Sequence, residues 1–105
     1  MMIKFLKNIF GVGPKINYSE LFQRGATIID VRTQGEYQSG HIKTSINVPL
    51  KNLPNNLLKW SKDKPIITCC ASGVRSASAK SILKSNGFAE VYNGGSWMSL
   101  QNKIG

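Results

Sequence analysis

Residues 66–88 read IITCCASGVRSASAKSILKSNGF, and this stretch decides the fold. Ile66, Ile67 and Thr68 follow Pro65 as a short apolar, β-branched run, which predicts a buried strand over Pro65–Cys69. Cys70 to Gly73 is a loop of small residues. From about Val74 to Asn86 the spacing turns helical: Ala79, Ile82 and Leu83 share a face, Lys80 and Lys84 point elsewhere, and Gly87 ends the run. Strand, tight loop and helix in that order form part of a βαβ unit. In such folds the C-terminal edge of a parallel sheet is where sites are built.

The flanks continue the alternation. Asn17 reads as a helix N-cap with Glu20 completing a capping box, Tyr18, Leu21 and Phe22 share a face, and Gly25 is the stop. Ala26–Val31 is a predicted buried strand, Thr33–Gln38 a short helix ended by Gly40, and Ser45–Val48 a short strand closed by Pro49. Leu50, Leu53, Leu57, Leu58 and Trp60 around Pro54 predict one or two short helices. Phe88–Tyr92 is the last predicted strand, and Gly94–Gly95 is expected to turn the chain into a final helix with Trp97, Met98 and Leu100. Residues 15–105 are thus expected to be one α/β domain, preceded by a basic tail over residues 1–14. Ile3, Leu6 and Phe10 in that tail fall roughly on one face, but Lys4 and Lys7 break the apolar stretch, so neither a signal peptide nor stable membrane insertion is expected.

The chain has 105 residues, room for one core, and 41% of them are apolar. Its formal charge is +9, from 14 Lys and Arg against 5 Asp and Glu. The basic residues form no run and no aromatic-interleaved stripe, which argues against nucleic acid and for a broad field that draws in small anions. Cys69 and Cys70 are adjacent and cannot staple distant segments, and His41 is the sole histidine, so neither a disulfide framework nor a structural zinc is expected. What remains is a thiol kept for reactivity or a plain buried cysteine, and a cytoplasmic location is the default expectation in the absence of a targeting signal.

Cys70 sits where strand gives way to loop and helix, and there the physics is specific. A thiolate is the nucleophile, and it forms more readily in positive potential. The unpaired amides and dipole of a helix N-terminus supply such potential, and a tight loop with Gly73 turns amides inward as an anion nest. Small side chains at Ala71 and Ser72 let those amides approach, Arg75 adds a charge, and Ser72 and Ser76 are candidate donors to an oxyanion, with helix capping as the alternative for Ser76. Cys70 is therefore the expected catalytic residue, exposed at the turn. Ala71, Ser72, Gly73, Val74, Arg75 and Ser76 form the binding set around it, and no metal or cofactor is needed.

Cys70-Ala71-Ser72-Gly73-Val74-Arg75-Ser76 resembles the active-site loop of rhodanese domains, in which cysteine, glycine and arginine recur at this spacing. Ile29-Asp30-Val31-Arg32 with Glu36-Tyr37 is similar to the family's first motif, Gly40-His41-Ile42 to Ile46-Asn47-Val48-Pro49 to its second, and Gly94-Gly95 with Trp97 to its C-terminal signature. The likeness covers roughly residues 15–102, with all four motifs in order. It implies a three-layer fold, a mostly parallel five-stranded sheet with helices on both faces. It also implies a two-step sulfur transfer: the Cys70 thiolate takes the outer sulfur of a small anionic donor such as thiosulfate, and the persulfide passes it to cyanide or a thiol. That thiol could sit on glutathione or on a thioredoxin-like or sulfur-carrier protein.

Other readings compete. Cysteine phosphatases and arsenate reductases also end a cysteine loop in arginine, but four residues separate Cys70 from Arg75 here, and counting from Cys69 misplaces the glycine. A non-enzymatic redox or partner-binding module is a further alternative, against which an intact Cys70, Gly73 and Arg75 weigh. Strand alternation turns Cys69 away from the loop, as packing rather than as a resolving thiol. His41 is expected to bond locally rather than act as a base. Asp30 and Arg32 border the site, Asp30 bonding the loop backbone or Arg75, and Arg32 pairing with Glu36. Ala71 stands where thiosulfate-tuned members of the family often carry a basic residue, which points to weaker thiosulfate activity and a persulfide as an alternative donor.

Overall fold

A computed structural model describes residues 16–105. The expected tail over 1–14 lies outside the described residues, and with it the face of Ile3, Leu6 and Phe10. Helix α1 spans Tyr18–Gln23, and the Oδ1 of Asn17 accepts the Glu20 amide at 3.1 Å. The reciprocal bond of the expected capping box is replaced, because the Glu20 carboxylate turns toward Arg24, 3.9 Å away. Then come β1 (Thr27–Asp30), α2 (Gln34–Gln38) and β2 (Ile46–Asn47). A complete capping box forms at α2, where Thr33 Oγ1 accepts the Glu36 amide at 3.3 Å and Glu36 Oε1 accepts the Thr33 amide at 3.0 Å. Leu50–Asn55 and Leu57–Lys59 are short 3-10 segments, as suits a stretch in which Pro54 lacks an amide hydrogen. β3 (Ile66–Cys70), α3 (Val74–Ser85), β4 (Val91–Ser96) and α4 (Trp97–Ile104) complete the described chain.

The sheet is parallel throughout, in the order β2-β1-β3-β4. The expected α/β architecture holds, with four strands among the described residues where the resemblance implied five. Each of the four strand-like runs in the sequence supplies one strand. Apolar side chains cover both faces. Ile29, Val48, Leu53, Ile66, Ala79, Leu83 and Val91 pack on one side, with Cys70 among them. Leu21, Ile28, Ile42, Ile67 and Leu100 pack on the other, with Cys69 among them. All five residues of β3 are buried, as a central strand between two layers requires.

β1 and β2 are each trimmed by one residue at both ends relative to the sequence reading, and the boundaries of β3 and β4 shift for reasons of pairing and capping. β3 extends one residue further, through Cys70, because Cys70 pairs with Ser96 of β4. β4 starts at Val91 rather than Phe88. Phe88 instead closes α3: its amide bonds the Leu83 carbonyl at 3.2 Å and Gly87 N bonds Lys84 O at 3.2 Å, a Schellman cap with Phe88 as its buried apolar residue. Gly94 and Gly95 lie inside β4 rather than in a turn. Thr68 pairs with Asn93 and Cys70 with Ser96, so two steps along β3 face three along β4, and the extra residue is a bulge at the glycines. A Cβ on Gly94 would lie 2.9 Å from both Leu100 Cδ2 and the Thr68 carbonyl oxygen, so the bulge closes only with glycine there.

Candidate active site

Cys70 ends the central strand, and the three residues after it curl back over its sulfur. Gly73 makes this turn at φ +104°, a left-handed conformation that costs any other residue about 1–2 kcal/mol. Its amide thereby points at Cys70 Sγ, 2.9 Å away, and the Ser76 amide in the first turn of α3 lies 3.4 Å from the same atom. The side chain is fully buried rather than exposed at the turn, because Cys70 belongs to the strand and the loop folds over it. Burial pushes the thiol up, but hydrogen bonds from the Ser76 hydroxyl and from the amides of Ser76, Gly73 and Ser72 outweigh it and hold the thiol below its ordinary value. The dipole of the twelve-residue α3 acts in the same direction.

Ser76 does not cap the helix; it sits within it, fully buried. Its Oγ lies 3.5 Å from Cys70 Sγ, 2.6 Å from Asn93 Oδ1 and 3.0 Å from the Gly73 carbonyl. A hydroxyl has a single hydrogen. It accepts from the neutral thiol while donating to Asn93, and it donates to sulfur once the proton leaves. Asn93 fixes this geometry: Oδ1 also accepts the Gly95 amide at 2.9 Å, and Nδ2 reaches the Gly73 carbonyl at 3.2 Å. Sequence reasoning missed Asn93. The available signal was a polar side chain placed directly before the paired glycines of β4.

Both site arginines are engaged within the protein. Arg75 meets Glu36 through two bonds, 2.7 and 3.0 Å, so its guanidinium is shared with a carboxylate and not held free over the sulfur as expected. Arg75, and then the Thr33 amide, hold the Glu36 carboxyl at about 2. Arg32 pairs with Asp30 (2.7 Å) and not with the Glu36 carboxylate as expected, because residues two apart on an extended chain share a side. It also donates to the carbonyls of Glu36 (3.1 Å) and Gly40 (2.7 Å) and lies 4.8 Å from the Trp97 ring centre, stapling β1 to α2 and α4. Asp30 accepts the Arg32 amide as well as its side chain, and so bonds neither the loop nor Arg75. Ala71, Ser72 and Val74 are exposed at the rim.

Cys69 turns to the opposite face, as alternation predicts. Burial, and then the Asp30 charge, push its thiol up to about 12. His41 stacks on Tyr37 at 3.8 Å, and its Nδ1 lies 2.7 Å from the Tyr37 carbonyl, the local bonding expected of it. Among the described residues no cluster of three or more His, Cys, Asp or Glu is arranged to hold a metal, and no helix is long and apolar enough to cross a membrane.

Comparison with known proteins adds a family match: a model of the rhodanese-like domain covers residues 16–102. The uncharacterized protein YqhL of Bacillus subtilis is 40% identical over 70 residues, which span 67% of this chain and 56% of that protein. A thiosulfate sulfurtransferase, GlpE, of Pseudomonas savastanoi is 34% identical over 73 residues, 70% of this chain and 69% of that enzyme. Among solved structures, a rhodanese with anions from E. coli superposes with a TM-score of 0.68 at 31% identity, over 71% of this chain and 91% of that one.

Proposed function

This chain belongs to the rhodanese-like domain family, and from that premise we propose that it is a sulfurtransferase carrying sulfane sulfur on Cys70. The observation that carries the reading is the convergence of the Gly73 and Ser76 amides, at 2.9 and 3.4 Å, on one buried sulfur. In the first step the Cys70 thiolate attacks the outer sulfur of the donor. The donor's S–S bond breaks, its electron pair leaves with sulfite or a thiolate, and a Cys70 persulfide remains. In the second step an acceptor thiolate or cyanide attacks that outer sulfur, and Cys70 leaves as a thiolate. Amides that stabilise the anion help in both steps: they raise the fraction of attacking thiolate in the first and stabilise the departing thiolate in the second.

A thiol acceptor, small or on a thioredoxin-like or sulfur-carrier protein, fits the reducing cytoplasm, as do two free cysteines. A phosphate ester would require a free guanidinium, and the pairing of Arg75 with Glu36 weighs against that rival. The test is thiocyanate formation from a sulfane donor and cyanide. Wild type should turn over and Cys70→Ser should fall to background while keeping the native circular-dichroism spectrum. Turnover retained in a folded Cys70→Ser protein contradicts the proposal.

A further inference from the structure

Resting on that reading, we infer that Ser76 and Asn93 form a two-position hydrogen-bond switch that follows the charge on Cys70. The Ser76 hydrogen rests on Asn93 while the sulfur is neutral and moves to the sulfur when it becomes an anion. Asn93 is thus a positioning residue that acts on the sulfur through Ser76. The orientation of its amide is fixed by two partners with one role each. The Gly95 amide can only donate, so the atom 2.9 Å from it is the carbonyl oxygen Oδ1. The Gly73 carbonyl can only accept, so the atom 3.2 Å from it is Nδ2. Ser76 Oγ lies 2.6 Å from Oδ1, and of those two oxygens the hydroxyl alone has a hydrogen to give. Its lone pairs then face Cys70 Sγ at 3.5 Å, which suits a neutral thiol as donor.

An anionic sulfur has no hydrogen to give and takes the one on Ser76. Three acceptors therefore compete for a single hydrogen: Asn93 Oδ1 at 2.6 Å, the Gly73 carbonyl at 3.0 Å and Cys70 Sγ at 3.5 Å. The two oxygens oppose the thiolate and the sulfur favours it. Asn93 makes the shortest of these bonds and is the main competitor. The β4 bulge puts it there, because the extra residue falls between the Thr68–Asn93 and Cys70–Ser96 pairs. The Gly73 turn does not depend on Asn93 alone, since its carbonyl also accepts the Ala77 amide at 3.1 Å.

In the proposed cycle the Cys70 sulfur alternates between the two states. It is an anion when it attacks the donor and again when it leaves, and between those steps it is bonded to the outer sulfur and uncharged. The hydrogen returns to Asn93 in the loaded state and follows the charge back as the acceptor takes the outer sulfur. The other groups that feel the Cys70 charge are Arg75 of α3, paired with Glu36 of α2, and Cys69 on the opposite face. Asp30 at the end of β1 is paired with Arg32, Tyr92 of β4 bonds Glu90, and Lys51 beside Leu53 is exposed.

The test is the rate of iodoacetamide alkylation against pH, in a Cys69→Ser background so that one thiol reports, with each fold checked by circular dichroism. Asn93→Ala removes the competing acceptor, so it should lower the Cys70 midpoint and speed alkylation below it about threefold. Asn93→Asp makes the acceptor stronger and charged, so it should raise the midpoint and slow alkylation below it about tenfold. Ser76→Ala should also raise the midpoint, and with it in place Asn93→Ala should move nothing. Two bonded residues whose removal acts in opposite directions are not what packing alone produces. A midpoint that Asn93→Ala raises or leaves unmoved overturns the switch, and so does an Asn93→Ala effect that survives in Ser76→Ala. If Asn93→Ala does not fold, an unmoved midpoint in Asn93→Asp overturns it. Alkylation needs no sulfur donor. A wild type that turns over no sulfane donor overturns the sulfurtransferase reading, and the alkylation profile still decides the switch.

Discussion

Cys69 and Cys70 are chain neighbours with opposite chemistry. Cys69 packs beneath α1 and α4 with its thiol pushed up to about 12, whereas Cys70 packs beneath α3 with its thiol held below the ordinary value. Both are fully buried, so burial alone does not separate them. The difference is what each sulfur meets. Cys69 meets apolar side chains and the Asp30 carboxylate, whereas Cys70 meets amides and a hydroxyl that favour its anion. Strand alternation assigns the faces, and the three-residue turn of small residues, Ala71 to Gly73, assigns the chemistry.

The contrast breaks most sharply under alkylation. Each unit of thiol pKa costs tenfold in thiolate and returns part of that in nucleophilicity. With one thiol held down and the other pushed up, Cys70 should alkylate much faster than Cys69 near neutral pH. Iodoacetamide should label native wild type once, and native Cys70→Ser should resist it until denaturant is added. Equal labelling of the two single-serine variants would erase the distinction. Gly73→Ala should have the next largest effect. A side chain at φ +104°, with its Cβ 3.4 Å from Gly95 Cα, costs about 1–2 kcal/mol in urea unfolding and swings the amide off the sulfur, slowing alkylation roughly tenfold. Unchanged alkylation in this variant would remove the Gly73 amide from the account.

Ser76→Ala sharpens the same point through pH. The Ser76 hydroxyl favours the thiolate, so its loss raises the Cys70 pKa. Alkylation should slow a few-fold at pH 7, with the gap closing as pH rises through the thiol range. A pH profile identical to wild type would assign Ser76 a packing role alone. The smallest effect concerns Glu36, whose carboxyl lies at about 2. A depressed carboxyl contributes stability that is full above its ordinary value near 4.5 and is lost as pH falls toward about 2. Carboxyl NMR should place the Glu36 midpoint near the lower figure, and an ordinary midpoint would mean that Arg75 is free.

The centre of this fold was legible because Ile66 to Ser85 obeys local rules: a β-branched run, small residues, then helical spacing. Of the loop residues expected around Cys70, Gly73 and Ser76 bond its sulfur while Arg75 turns to Glu36, and alternation alone oriented Cys69. What escaped depends on partners distant in sequence. Cys70 is a strand residue because Ser96 pairs with it, and Phe88 reads as strand until α3 takes it as a cap. Gly94–Gly95 looks like a turn until the register with β3 shows an extra residue. Helical spacing suggested Arg32 with Glu36, but Asp30 is nearer along the extended chain, and Arg75, 39 positions away, takes Glu36. Asn93 carries no motif of its own; its role arises where β4 passes the start of α3.

The most direct test of the central claim is where sulfane sulfur resides. Trypsin leaves both cysteines in one peptide, Asp63–Arg75, because the Lys64–Pro65 bond resists it, so the serine variants decide the site by intact mass after donor loading. Wild type and Cys69→Ser should each gain roughly 32 Da, reversed by cyanide, and Cys70→Ser should gain nothing. A cyanide-labile gain on Cys70→Ser, or its loss from Cys69→Ser, would place the sulfur on the wrong cysteine and contradict the account.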